Sequence, residues 1–118
     1  MPPKKSPAVL AQNARDLVEQ LNRQVLDDAG KITAPNVNDT VRALMQLVDR
    51  LPQAFEQLAT VLEMRAKEGV IGMDTAEDPA VAAFATAEEL RSAAADAQAL
   101  AQYIAVPART LSSMDHQG

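Results

Sequence analysis

The chain of 118 residues contains no cysteine and no tryptophan, has a single histidine, and is only 3% aromatic. Without cysteine it has no disulfide framework, no thiol nucleophile and no thiolate metal site. Apolar residues still make up 47% of the sequence, so the core must be built from alanine, leucine and valine. This composition is typical of closely packed helices, and the length fits one domain.

Long apolar runs and an excess of positive charge are also missing. No segment approaches the roughly 20 apolar residues of a membrane span, and none has the run of a signal peptide. The formal net charge is −5, from 16 acidic and 11 basic residues, which disfavours nucleic acid as a partner. Only local basic groups remain for that role: Lys4, Lys5, Arg42 and Arg50. We therefore expect a cytoplasmic protein with no membrane partner.

Residues that carry chemistry are scarce. His116 lies close to the C-terminus, away from the rigid shell that a catalytic group needs. The acidic clusters at residues 27–28, 74–78 and 88–89 lack the spacing of a calcium loop or a di-iron bundle. The serines have no partner to activate them, and the glycines form no phosphate-binding loop. We expect a protein that is not an enzyme, with no catalytic, cofactor-binding or metal-ligating residue.

The first helix is predicted from a capping signal and an apolar stripe. Ser6 followed by Pro7 is typical of an N-cap and a first helical residue. Apolar residues then recur at helical spacing, at Leu10, Ala14, Leu17, Leu21 and Val25. Gly30 is predicted as the C′ residue that ends this helix.

The second helix carries the strongest pattern. Its apolar residues recur at alternating spacings of four and three, at Val37, Val41, Leu44, Val48, Leu51, Phe55, Leu58 and Leu62. This is a coiled-coil heptad, with Asn36 or Asn38 as its predicted cap and Gly69 as its C′ residue. Flanking positions are apolar too, so the helix face is too wide for one neighbour. The candidate interface residues are Met45, Leu47, Val61 and Met64, with ordinary packing as an equally favoured reading.

Pro52 stands inside this pattern. A proline in a helix removes one hydrogen bond and crowds the carbonyl of Val48, at a cost of about 3 kcal/mol. Burial of the neighbouring apolar side chains, at about 1.5 to 3 kcal/mol each, can offset that cost. Because the heptad keeps its phase and Leu51 is a poor N-cap, we expect one continuous helix kinked at Pro52. Two separate helices are the alternative.

The third helix is predicted to begin at Pro79, capped by Asp78, and to run through an alanine-rich segment as far as Pro107. Pro107 ends it or begins a last short turn through Leu111. Thr86 and Glu89 fit a capping box, so a short helix followed by a longer one is an alternative. The apolar connection at residues 70–73 is expected to fold back over the end of the bundle, and its role cannot be assigned from the sequence.

Short connections place helices that are neighbours in sequence antiparallel. We predict an all-α fold, an antiparallel bundle of three long helices, as a single domain over residues 7–111. Disordered tails are predicted at residues 1–6 and 112–118. If three helices leave an apolar strip uncovered, a second copy would complete a dimeric bundle.

Two segments, LPQAFEQLATVLE at residues 51–63 and EELRSAAADAQALAQYI at residues 88–104, resemble small alanine-rich, all-helical proteins of high-GC actinobacteria, a group with no established activity. The resemblance covers roughly the last two thirds of the chain. It implies a small accessory protein of the kind carried on mobile elements, and it transfers no functional residue.

These features favour a non-catalytic helical bundle that acts by protein–protein interaction or self-association, most simply as a homo-oligomer. The alternative is a nucleic-acid-associated accessory or regulatory protein that uses its basic N-terminal residues. A secreted helical-hairpin effector is less favoured, because the central turn lacks a Trp-x-Gly motif.

Replacing Pro52 by alanine restores the missing N–H donor and removes the ring that crowds the Val48 carbonyl. We expect Pro52→Ala to raise the free energy of unfolding by as much as about 3 kcal/mol, measured by urea denaturation followed by circular dichroism. A fall in stability would mean that packing requires the proline.

Overall fold

The computed structural model describes residues 4–115 and 117. Over these residues the chain is all-helical and has no strand: α1 spans Pro7–Asp27, α2 spans Ala34–Lys67 and α3 spans Pro79–Leu111. A short 3-10 helix, Ala29–Lys31, follows α1. The predicted all-α class with three long helices is confirmed. The chain divides into two compact units, one up to Thr33 and one from Ala34 onward. The single domain over residues 7–111 stays a prediction.

Both predicted tails fall partly outside the described residues, which exclude residues 1–3, His116 and Gly118. In the described part, the end of α3 is closed by backbone hydrogen bonds. The Ser112 N–H donates to the Ala108 carbonyl at 3.1 Å, and the Met114 N–H donates to the Leu111 carbonyl at 3.0 Å.

The start of α1 follows the prediction, but its end does not. Ser6 Oγ accepts a hydrogen bond from the Val9 N–H at 3.2 Å, and Pro7 is the first helical residue. At the other end Gly30 is not the C′ residue: it lies inside the 3-10 helix and lacks the positive φ that such a cap requires. The tighter turn replaces the glycine cap, because the Lys31 N–H donates to the Asp28 carbonyl at 2.8 Å.

Over its described residues, 4–33, the unit that contains α1 has no core of its own. None of the 21 residues of α1 is buried, although the predicted apolar stripe is present. Leu10 and Leu17 are 55% and 64% exposed, and Leu21 is the one half-buried member of the stripe, with Val18 beside it also half-buried. This unit therefore contributes apolar surface rather than a packed interior.

Helix α2 is continuous over 34 residues and contains Pro52, so the alternative of two separate helices is wrong. A bend at Pro52 stays a prediction. The predicted caps Asn36 and Asn38 are also wrong, since both lie inside α2. The helix begins at Ala34 because Pro35 has the fixed φ that suits a first turn. Asn38 instead accepts a hydrogen bond from Arg42 Nε at 3.2 Å.

The end of α2 confirms the predicted glycine cap. Gly69 has a φ of 72°, and its N–H donates to the Ala66 carbonyl at 3.1 Å. The Val70 N–H donates to the Arg65 carbonyl at 3.4 Å, which completes a Schellman motif. In the connection that follows, Val70 and Met73 are 66% and 38% exposed, so the expected packing of this apolar segment over a helix end is not found at these two residues.

Helix α3 begins as predicted, with Asp78 Oδ1 accepting from the Ala80 N–H at 2.9 Å and the Val81 N–H at 3.3 Å. It then runs without interruption through Thr86 and Pro107 to Leu111, so neither predicted break occurs. Thr86 cannot cap a second helix from inside the first. Pro107 costs one hydrogen bond, which burial of Ala108 beyond it helps to offset.

Helices α2 and α3 are in close contact, and the core between them consists only of alanines. Among the described residues, those buried are Ala59, Ala83, Ala87, Ala94, Ala101 and Ala108. The last four recur every seventh residue, which keeps one column of methyl groups facing α2. Side chains this small let two helix backbones approach closely, and every larger apolar side chain of α2 and α3 stays at least partly exposed. We call this contact the alanine seam.

The alanine seam should not tolerate larger side chains. Ala94 is 3% exposed, and a leucine there would force the helices apart, so we expect Ala94→Leu to destabilise the protein by about 1 to 3 kcal/mol. Ala99 is exposed on the same helix, and Ala99→Leu is the matched control with a near-zero effect. Urea denaturation measures both. Equal effects of the two substitutions would contradict the alanine seam.

Candidate interaction surface

The stripe of α2 that faces the seam differs from the one that the leucine heptad predicted. The fully buried residue of α2 is Ala59, whereas Leu58 beside it is 50% exposed. Ala59 belongs to a series at seven-residue spacing with Met45, Pro52 and Ala66, all of them half-buried. Together with Val41, Val48, Phe55 and Leu62, this series forms the covered face. Pro52 thus lies on the stripe that faces α3, in line with the buried alanine.

One flank of the seam is mainly polar on both helices. On α2, the residues four positions after Met45, Pro52 and Ala59 are Asp49, Glu56 and Glu63. On α3, the residues four positions after Ala87, Ala94 and Ala101 are Arg91, Gln98 and Ala105. These two flanks meet in space, because Arg91 contacts both Glu56 and Glu63. We call this side of the helix pair the polar edge.

Arg91 is the centre of the polar edge. Its Nη2 and Nη1 donate to the two carboxylate oxygens of Glu63 at 2.6 and 2.9 Å, a bidentate pair across the seam. Its Nε lies 3.5 Å from a carboxylate oxygen of Glu56, and Nη1 lies 3.4 Å from Glu88. The hydrogen bond from Arg91 lowers the pKa of Glu63, and the same bond raises the pKa of Arg91. One guanidinium therefore ties three carboxylates together and fixes the register of α3 on α2.

A second contact lies further along the same edge. An open groove there is lined by Met45, Gln46 and Asp49 from α2 and by Ala101, Gln102 and Ala105 from α3. Two contacts between the helices are therefore fixed along this edge. Arg91 of α3 pairs with Glu63 of α2, and residues 101–105 of α3 lie beside residues 45–49 of α2.

The opposite flank of the seam is apolar on both helices. The residues that precede Met45, Pro52 and Ala59 are Leu44, Leu51 and Leu58; those that precede Ala87, Ala94 and Ala101 are Thr86, Ala93 and Leu100. On a helix, positions i−1 and i+4 lie on opposite sides of a seam residue. Since the i+4 flanks meet at the polar edge, the i−1 flanks share the other side.

We call this second side the apolar strip. On each helix it follows spacings of three and four, and it consists of Leu44, Leu47, Leu51, Ala54, Leu58 and Val61 of α2 with Thr86, Leu90, Ala93, Ala97, Leu100 and Ile104 of α3. Half of its members are exposed and the rest are only half-buried. Leu58 and Leu100 are each 50% exposed. A row of large apolar side chains in this state marks an interaction site or a liability.

The four predicted interface residues do not form one surface. Leu47 and Val61 lie on the apolar strip and are exposed. Met45 is half-buried on the covered face of α2, where it lines the groove with Ala101, as the reading of ordinary packing expects. Met64 is 50% exposed but lies outside both the covered face and the apolar strip. Leu58 was missed as surface, because its heptad spacing assigned it to the interior. Leu44 and Leu51, on the same line, are half-buried.

The arginines considered for nucleic acid make local contacts. Arg50 Nη1 donates to the Gln46 carbonyl at 2.7 Å, and Arg42 is bonded to Asn38. Lys4 and Lys5 are exposed. Among the residues that the structure describes, no three histidine, aspartate or glutamate side chains are grouped to hold a metal ion. The expectations of no catalysis and no cofactor stay predictions.

No helix in the described part of the chain is long and apolar enough to cross a membrane.

Comparison with protein-family models, curated proteins and solved structures gives no match for this chain. The resemblance to alanine-rich actinobacterial proteins therefore stays a prediction.

The pair of Glu63 and Arg91 predicts a dependence of stability on pH. Because the pKa of Glu63 is lowered from its ordinary value of 4.5 in the folded protein, its contribution is present above that value and is lost as the pH falls through the lowered one. We expect Glu63→Gln to lower the melting temperature most at neutral pH and hardly at all at strongly acidic pH. Thermal unfolding of both proteins across this range measures the difference.

Glu77→Gln, in the connection between α2 and α3, is the control that should change little at any pH. A melting-temperature difference for Glu63→Gln that stays constant on acidification would contradict the role assigned to the ion pair.

Proposed function

We propose that this chain is a non-catalytic helical protein that works by protein–protein association, first of all with itself, as a homo-oligomer. The observation that carries the proposal is the apolar strip. A helix pair with only alanines in its core leaves leucines and valines along one whole side partly in water. Covering them removes apolar surface from water at about 25 cal/mol per Å², which is the usual driving force of association.

In the arrangement that we propose, α2 and α3 form an antiparallel hairpin. Two contacts support it. Arg91 of α3 reaches Glu63 of α2, whereas Ala101 and Ala105 lie beside Met45 and Asp49. As residue numbers rise along α3, the numbers of their α2 neighbours fall. We further propose a bend at Pro52, supported by the missing N–H donor and by the place of the ring on the covered face.

A nucleic-acid-associated role is the alternative function. The exposed Lys4 and Lys5 favour it, but the net charge of −5 and the local hydrogen bonds of Arg42 and Arg50 weigh against it. A cytoplasmic location and independence from cofactors belong to the proposal as well.

Size exclusion coupled to light scattering tests the proposal. Over protein concentrations from about 1 to about 100 µM, we expect the measured mass to rise from that of the 12.6 kDa chain to twice that value, with the melting temperature rising in parallel. A constant monomer mass and a constant melting temperature would contradict self-association.

Retention on a DNA column distinguishes the nucleic-acid-associated alternative from the proposed function. A nucleic-acid-binding protein would be retained at low salt and released steeply as salt rises. We expect this chain to flow through at low salt, and strong salt-dependent retention would favour the alternative function.

A further inference from the structure

We infer that the partner on the apolar strip is a second copy of this chain, related by a two-fold axis parallel to the helices. This inference rests on the proposed function and on the antiparallel hairpin. In the resulting four-helix bundle, α2 of each copy packs against α3 of the other, and both α2–α3 connections lie at the same end.

The sizes of the side chains favour packing α2 of one copy against α3 of the other. The strip residues that border the seam on α2 are three leucines, whereas the corresponding residues of α3 are Thr86, Ala93 and Leu100. Interiors pack best when large side chains meet small ones. Pairing α2 with α3 of the second copy achieves this on both sides of the axis. Pairing like helices would place leucines against leucines and leave voids between alanines.

Charge favours the same pairing. The strip itself carries no charged residue, but its outer margins do. On α2, Arg50 borders the strip. On α3, Glu89 and Asp96 border it. The two-fold axis described above brings the basic margin of each copy against the acidic margin of the other, twice per dimer. Pairing like helices would oppose acid to acid, which is destabilising.

The positions of these charged residues along the bundle axis also fit this pairing. Residues 45–49 lie beside residues 101–105, so residue 50 of α2 is level with residue 100 or so of α3. A parallel two-fold axis preserves these levels. Asp96 is then displaced from Arg50 by four residues, about 6 Å along the helix, which an arginine side chain spans.

Self-complementarity is the reason to choose a second copy over an unrelated protein. In a two-fold interface the same patch serves both sides, so its two margins must complement each other. An apolar strip with one basic and one acidic margin meets that condition within a single chain.

The strip is tested with a pair of matched substitutions. Leu100 and Val106 are 50% and 55% exposed and both lie on α3, but only Leu100 is on the strip, and Val106 lies away from both the strip and its charged margin. We expect Leu100→Glu to weaken the dimer by at least about 100-fold, because it buries two carboxylates, and Val106→Glu to change the dissociation constant by less than about threefold. Sedimentation equilibrium measures both, and circular dichroism checks the helix content.

The pairing of helices is tested by reversing charges. Arg50→Glu or Asp96→Arg alone should weaken the dimer about tenfold, and the double variant should return to within about threefold of the unsubstituted protein. These exposed positions do not threaten folding. If like helices pair instead, the single substitutions strengthen the dimer or leave it unchanged.

Each result has one meaning. If the protein is dimeric and Val106→Glu disrupts the dimer as much as Leu100→Glu, the inferred surface is wrong although self-association stands. If the double charge variant is weaker than both single variants, the inferred pairing is wrong. A protein that is monomeric at all concentrations overturns this inference. If such a monomer also binds DNA, the nucleic-acid-associated alternative to the proposed function is favoured.

Discussion

The structure of residues 34–111 depends on the close contact of α2 and α3 through alanine methyl groups. Four alanines at seven-residue intervals on α3 face Ala59 and its neighbours on α2. Methyl groups supply little apolar area, so the seam holds by close approach rather than by bulk. A large side chain has no room there. The larger apolar side chains are displaced beside the seam and stay at least partly exposed, and leucines and valines line one of its flanks.

That displacement gives the helix pair two unlike sides. On one, Arg91 of α3 pairs with Glu56 and Glu63 across the seam and with Glu88 on its own helix, which sets the register and keeps this side polar. On the other, the displaced leucines form the apolar strip. The same seam that permits close approach thus prevents two helices from burying their own apolar residues. Association is the physical remedy for the side that stays uncovered.

Local signals in the sequence predicted the helices well, but they did not predict the register between α2 and α3. Ser6 with Pro7, Asp78 with Pro79, and Gly69 act through contacts within a few residues, so they could be read directly. Gly30 and Asn36 failed because a 3-10 turn and Pro35 offered competing local solutions. The covered face was misjudged because leucines dominate a hydrophobic pattern. Close helix approach instead favours Ala59, whose burial depends on a partner helix that periodicity cannot show.

The distance between the α2–α3 connections of the two copies tests the inferred four-helix bundle most directly. Because the chain has no cysteine, Asp74→Cys in the α2–α3 connection gives one nitroxide label per copy, and pulsed electron spin resonance measures the separation of the two labels. A bundle with both connections at one end predicts a separation within about 30 Å. Connections at opposite ends would be separated by the length of α2, about 50 Å for its 34 residues. A separation near that length, or no dipolar coupling at all, would contradict the account.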